Sequence, residues 1–196
     1  MENINKKPLF CICGESACGK DTLVSLLIEK YEGKLKEICS YTTRPMRDGE
    51  TEGKEHYFVT EEMFHEIKEK NGDKVLAYTK ICAESNPDGF EYMALVDELE
   101  HANMYIIDPK GIKYLKEFYP ESNLVIIYIT SSLQDRIYRA SQRSDFDTQF
   151  KNRVISEFEQ FLDFNIKKEY DYIIYNENFK QTESLNALCY IIDKYI

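Results

Sequence analysis

The sequence predicts a three-layer α/β fold, a parallel sheet with helices on both faces, and a small lobe inserted into it. Three observations carry this. Short apolar runs alternate with helix-periodic segments, as strands buried on both faces and joined by crossovers require. A G-x-x-x-x-G-K stretch, Gly14 to Lys20, lies between the first apolar run and the first helical segment. From residue 44 to 95 the strands become shorter and more polar and the alternation breaks, which suits a lobe rather than another crossover unit.

In chain order, Leu9-Phe10-Cys11-Ile12-Cys13 is an apolar run ending at Gly14 and predicts a buried strand. Leu23, Leu26, Leu27 and Tyr31 give residues 19–32 a helical period, with Gly33 as its stop. Residues 38–43 read as a second strand and 57–59 as a brief third. Thr60 opens a helix that Asn71-Gly72 ends. Residues 75–82 read as extended, and Ser85-Asn86-Pro87-Asp88-Gly89 as a turn. A short helix near 95–102 precedes the strand 104–108, a helix over 111–119 and the strongly apolar strand 124–130. Helices near 132–143 and 147–168, a strand over 172–175 and a helix over 180–196 complete the chain. At roughly 150 residues per domain, the 196 residues predict one domain. Its core covers 1–43 and 104–196, its lobe 44–103.

Net charge is −10, from 35 acidic and 25 basic residues, the reverse of what a general nucleic-acid binder needs. No apolar run approaches the ~18 residues of a membrane span, and the N-terminus lacks the apolar core of a secretory signal. These features predict a cytoplasmic protein with small-molecule partners, away from nucleic acid and membrane. The six cysteines form no paired C-x-x-C framework and read as buried reduced thiols rather than zinc ligands or disulfides.

Gly14-Glu15-Ser16-Ala17-Cys18-Gly19-Lys20 has the strand-to-helix context that a phosphate loop demands. Its glycines let the backbone curl so that successive N–H groups converge, and the helix N-terminus adds positive charge. Lys20 supplies a point charge to the β- and γ-phosphates. Asp21 stands where a magnesium-binding hydroxyl is usual; it either holds the metal or answers the helix dipole. Thr22 is placed to reach an α-phosphate oxygen.

Only six basic residues are arginine, in two windows: Arg44 and Arg47, then Arg136, Arg139, Arg143 and Arg153. Arginine's planar fork suits bidentate grip on phosphate. In Ser40-Tyr41-Thr42-Thr43-Arg44-Pro45-Met46-Arg47 the proline fixes a turn between two forks, and hydroxyls add donors. Asp108 ends a buried strand before Pro109, either as a contact to metal or acceptor or as a cap.

These stretches, with Gly53–Phe58, Ile107-Asp108-Pro109-Lys110-Gly111 and residues 171–177, resemble the guanylate kinase family in order over nearly the whole chain. The resemblance implies a P-loop kinase fold with an acceptor-binding lobe and a helical lid over about 136–153. It implies phosphoryl transfer from ATP, with Mg²⁺, to GMP or a related nucleoside monophosphate. Lys20, Arg44, Arg143 and Arg153 would then be catalytic. The loop from Gly14 to Thr22 would bind ATP with Arg139, in a lid shared with Arg136, and Asn176 would sit by the adenine. Ser40, Arg44, Arg47, His56, Tyr57, Tyr92 and Asp108 would line the acceptor site.

The likeness breaks in the base-reading segment. The family's F-x-E-W becomes Val75-Leu76-Ala77-Tyr78, its Y-G-x-S/T becomes Tyr92-Met93-Ala94-Leu95, and His56 stands where a tyrosine is expected. Phosphate handling is therefore expected intact and base recognition altered. Two other readings are a non-catalytic binding module, against which the intact loop argues, and a kinase of another small phosphorylated metabolite.

Overall fold

The computed structural model describes residues 7–47, 49–83, 86–118, 123–142 and 148–196. Its central sheet has four parallel strands in the order β6 (Met104–Ile106), β1 (Leu9–Cys13), β7 (Leu124–Thr130), β8 (Tyr172–Tyr175). Every residue of β1 is buried, because both faces are covered. Phe10 and Ile12 pack with Leu23 and Leu27 of α1 (Lys20–Lys30) and Leu188 and Ile192 of α6 (Gln181–Ile192). Cys11 and Cys13 pack on the other side with Ile112 and Leu115 of α3 (Pro109–Phe118) and Phe161 and Phe164 of α5 (Thr148–Lys167). Double burial is why these strands show no polar alternation in sequence. Among the described residues Cys11, Cys13, Cys18, Cys39 and Cys189 are free and buried.

A second sheet, order β3-β2-β5-β4, joins β2 (Ser40–Thr42), β3 (His56–Phe58), β4 (Val75–Ala83) and β5 (Asn86–Leu95). The stretch 38–43, expected as a core strand, is divided between the sheets. Glu37 bridges Met104 and the Ile38 N–H donates to the Met104 carbonyl at 2.8 Å, and two residues later β2 pairs with β3 and β5. The lobe's sheet thus starts at Ser40. Its helix α2 (Glu61–Asn71) is capped by the Thr60 hydroxyl, which accepts from the Met63 N–H, and buries Phe64 against Val75 and Met93.

Most of the turn expected over 85–89 is strand. Asn86 to Gly89 belong to β5, Ala83 pairs with Asn86, and the register shifts between Ile81 and Ala83. Gly89, at φ +87°, and the Asn86 amide, which donates to the Gly89 carbonyl, serve a bulged strand. Glu84 and Ser85 lie outside the described residues. The segment near 95–102 is a single 3₁₀ turn over Val96–Glu100, α4 covers Leu133–Ser141, and α6 stops at Ile192 rather than 196. The link between α4 and α5, which holds Arg143, lies outside the described residues.

The four core strands point the same way, so Gly14, Asp108, Ser131 and Asn176 follow their strands at one edge of the sheet. That edge, at the carboxyl ends of parallel strands, is where such sheets take ligands.

Candidate active site

The loop after β1 is shaped by contacts that only glycine allows. A Cβ on Gly14 would collide with the Ile129 carbonyl oxygen, and one on Gly19, at φ +89°, would lie 2.6 Å from Asn176 Nδ2. Ala17 also takes a left-handed φ of 62°. The loop's carbonyls are drawn outward by a fixed set of donors. Arg136 Nε donates to the Ser16 carbonyl at 2.8 Å, and Arg139 Nη1 and Asn176 Nδ2 donate to that of Cys18 at 2.9 and 2.8 Å. Arg139 also donates to the Ser131 hydroxyl and the Asn176 carbonyl. Arg136 and Arg139, expected over the ATP phosphates, grip the main chain of the loop. Asn176, expected by the adenine, shares that task through Nδ2. The physical reason is burial: with the loop's carbonyls away from water, only strong donors can satisfy them.

The loop's side chains are equally committed. Glu15 accepts from the Tyr128 hydroxyl at 2.6 Å and from Thr130 at 3.3 Å. The Ser16 N–H and hydroxyl donate to the two carboxylate oxygens of Glu157, at 2.8 and 2.6 Å. Lys20 is held protonated: burial works against its charge, but Asp21, Cys18 and Glu157 together raise its pKa above the ordinary lysine value. Asp21 Oδ2 lies 3.6 Å from Lys20 Nζ and is largely exposed. Magnesium needs one or two such carboxylates, since phosphate oxygens and water complete its shell; Asp21 fits that requirement.

In the lobe, Arg44 and Arg47 lie on the turn that follows β2. Arg44, buried at 7 % exposure, is held bidentate by Glu50, Nη1 to Oε2 at 3.0 Å and Nη2 to Oε1 at 2.8 Å. It also lies 5.4 Å from the centre of the Phe58 ring. The Arg47 N–H donates to Glu50 at 2.7 Å, and its side chain is exposed. The two forks expected to share one anion are therefore differently disposed, because a buried guanidinium requires a carboxylate partner.

Ser40 Oγ and His56 Nδ1 share a hydrogen bond of 2.9 Å, and the His56 ring meets Tyr92 edge-on at 5.6 Å. Burial and Arg44 hold the His56 pKa below the usual imidazole value. Tyr57, expected beside it, turns to the opposite face of β3, where its ring packs 4.8 Å from that of Tyr41. Of the two readings of Asp108 the structure displays the cap: Oδ1 accepts from the Gly111 N–H at 2.7 Å at the start of α3, while Oδ2 accepts from Thr79 at 3.0 Å, a bond joining core to lobe.

Beside the loop, a cavity of about 780 Å³ opens between the ends of β7 and β8, lined among others by Ser131, Asp135, Tyr138, Tyr175 and Phe179. Sequence reasoning missed Glu157, Thr79 and Ser131. Glu157 lies four residues after Arg153, a spacing that reads as a surface ion pair on a helix.

Comparison with known proteins shows the family to which this fold corresponds. The guanylate kinase family matches residues 6–195. Guanylate kinase of Caldanaerobacter subterraneus subsp. tengcongensis is 30% identical over 184 residues, covering 92% of this chain and 85% of that protein. That of Thermotoga maritima is 30% identical over 183 residues, covering 88% and 81%. Among solved structures, guanylate kinase from Anaplasma phagocytophilum superposes with a TM-score of 0.64 at 20% identity, covering 96% of this chain and 85% of that one.

Proposed function

The chain belongs to the guanylate kinase family, and on that premise we propose that it transfers the γ-phosphoryl group of ATP to the phosphate of GMP or a related nucleoside monophosphate. The products are ADP and the nucleoside diphosphate: the bond from the γ-phosphorus to the β,γ-bridging oxygen breaks as an acceptor phosphate oxygen takes its place. Such transfer needs little covalent help; it needs two phosphates held in line and their charge neutralised.

In this reading the N–H groups of Ser16 to Lys20 and the Lys20 ammonium take the donor phosphates, and Thr22 reaches the α-phosphate. Arg136, Arg139 and Asn176 position that loop through its carbonyls. The donor base takes the cavity beside Asn176, whose Tyr138, Tyr175 and Phe179 offer aromatic surface. Arg44, Arg47, Ser40, His56 and Tyr92 take the acceptor. Arg153 carries charge from α5 toward the transferred group, and Arg143 joins the same lid. A magnesium ion held by Asp21 and the phosphates would neutralise charge on the donor. No described helix is long and apolar enough to cross a membrane, and the free buried thiols suit the reducing cytoplasm to which we assign the protein.

The observation that carries the proposal is a half-buried lysine, its charge favoured by acidic neighbours, closing a glycine loop at the sheet edge. A binding module without catalysis has no need of it. The test is ADP production from ATP, Mg²⁺ and GMP by the wild type and by Lys20→Ala. We expect turnover in the first and a loss of at least about 10²–10³-fold in the second, with the far-UV spectrum unchanged. Full activity in Lys20→Ala, or none in the wild type with any nucleoside monophosphate, rejects it.

A further inference from the structure

Glu157 stands in the loop as a phosphate would. One carboxylate oxygen accepts the backbone N–H of Ser16 at 2.8 Å and the other accepts the Ser16 hydroxyl at 2.6 Å. Arg136 flanks the pair, its Nη2 3.8 Å from Glu157 Oε2 while its Nε donates to the Ser16 carbonyl. A bidentate anion on a backbone N–H and a hydroxyl at a glycine loop, with a guanidinium beside it, is the pattern by which such loops hold phosphate. Here the anion comes from the chain itself, 141 residues further on, near the middle of α5.

We propose that Glu157 is a built-in occupant of the phosphate loop, an autoinhibitory carboxylate that a nucleoside triphosphate must expel from Ser16 before its own phosphates can bind there. This rests on the reading of Gly14–Lys20 as the donor-phosphate site. One N–H cannot serve two anions, and a carboxylate beside a polyphosphate repels it.

The test is calorimetric titration of the full chain with a non-hydrolysable ATP analogue and Mg²⁺, in the wild type, Glu157→Ala and Glu157→Gln. The amide variant keeps the side chain's volume and removes its charge. We expect both variants to bind about tenfold more tightly, a shift of about 1.4 kcal/mol. Equal or weaker binding in the folded variants overturns the proposal and makes Glu157 a support of the loop. Binding by none of the three chains overturns instead the donor-site reading itself. A second measurement needs no variant. Amide hydrogen exchange in the wild type is expected to rise in α5 around Glu157 when the analogue is added, and unchanged or slower exchange there rejects the expulsion.

Discussion

Ala77 and Ala94 are register partners across the β4–β5 hairpin, both buried, at 2 % and 0 % exposure. They share a face of the sheet with the next such pair, Thr79 and Tyr92. Neither alanine can hydrogen-bond a base edge, and the Thr79 hydroxyl already donates to Asp108. Sites that pair with polar groups discriminate by about 10⁴–10⁵, whereas apolar walls manage only about 10–200-fold. We therefore expect kcat/KM for GMP to exceed that for IMP or AMP by less than about 200-fold. Steady-state kinetics with the three acceptors checks this, and a preference near 10⁴ contradicts it.

Glu50 holds Arg44 with both oxygens and also takes the Arg47 N–H. Removing one member of so enclosed a pair leaves the other charge buried and alone, at a cost of about 3–5 kcal/mol when burial is complete. For Glu50→Gln we expect about 2–3 kcal/mol lost in denaturant melts, since the Glu50 side chain is 17% exposed. The acceptor KM should rise much more than the ATP KM. Arg44→Ala should show the same asymmetry. A matching rise in both constants would mean that the lobe and the loop are not separate sites.

The loop and the arginine turn were legible in the sequence because their parts are neighbours along it. Gly14, Gly19 and Lys20 act within one turn, and Arg44, Arg47 and Glu50 within another. The phase of β3 was not legible: a three-residue strand, His56–Phe58, has too few alternations to show which face is inward. Glu157 was hidden by distance, since nothing local separates an acid that reaches Ser16 from one that pairs with solvent. Arg136 and Arg139 were recognised as anion binders by type, but their partners are carbonyls that only the folded loop presents.

Glu37 makes stability depend on pH in a direction opposite to the usual carboxylate. Burial first, then the like charges of Asp21 and Glu55, push its pKa from 4.5 to about 7. Between those values the native chain keeps a proton that the unfolded chain has released, so stability falls as pH rises through that window. Glu37→Gln removes the penalty. We expect its melting temperature to exceed the wild type's by roughly 2–8 °C at pH 8, from about 1–2 kcal/mol, and to match it near pH 5. A gain of the same size at both values would mean that the carboxyl's charge is not the cause.

His56 and Tyr57 are adjacent yet face opposite sides of β3, and their substitution should separate cleanly. His56 bonds Ser40 at 2.9 Å and lies between Phe58 and Tyr92, with ring centres 5.7 and 5.6 Å away. Tyr57 rests on Tyr41, away from Arg44. His56→Ala strands the Ser40 hydroxyl and opens the pocket wall, and we expect the acceptor KM to rise about tenfold, the worth of one hydrogen bond. The KM for ATP should stay within about twofold, and Tyr57→Phe should leave both constants near wild type. Because burial and Arg44 depress the His56 pKa, the ring is neutral above the ordinary imidazole value of about 6.5. The acceptor KM should then show no histidine step from about pH 6.5 to 9. If Tyr57→Phe instead raises the acceptor KM, the tyrosine reaches the acceptor and the face assigned to it is wrong.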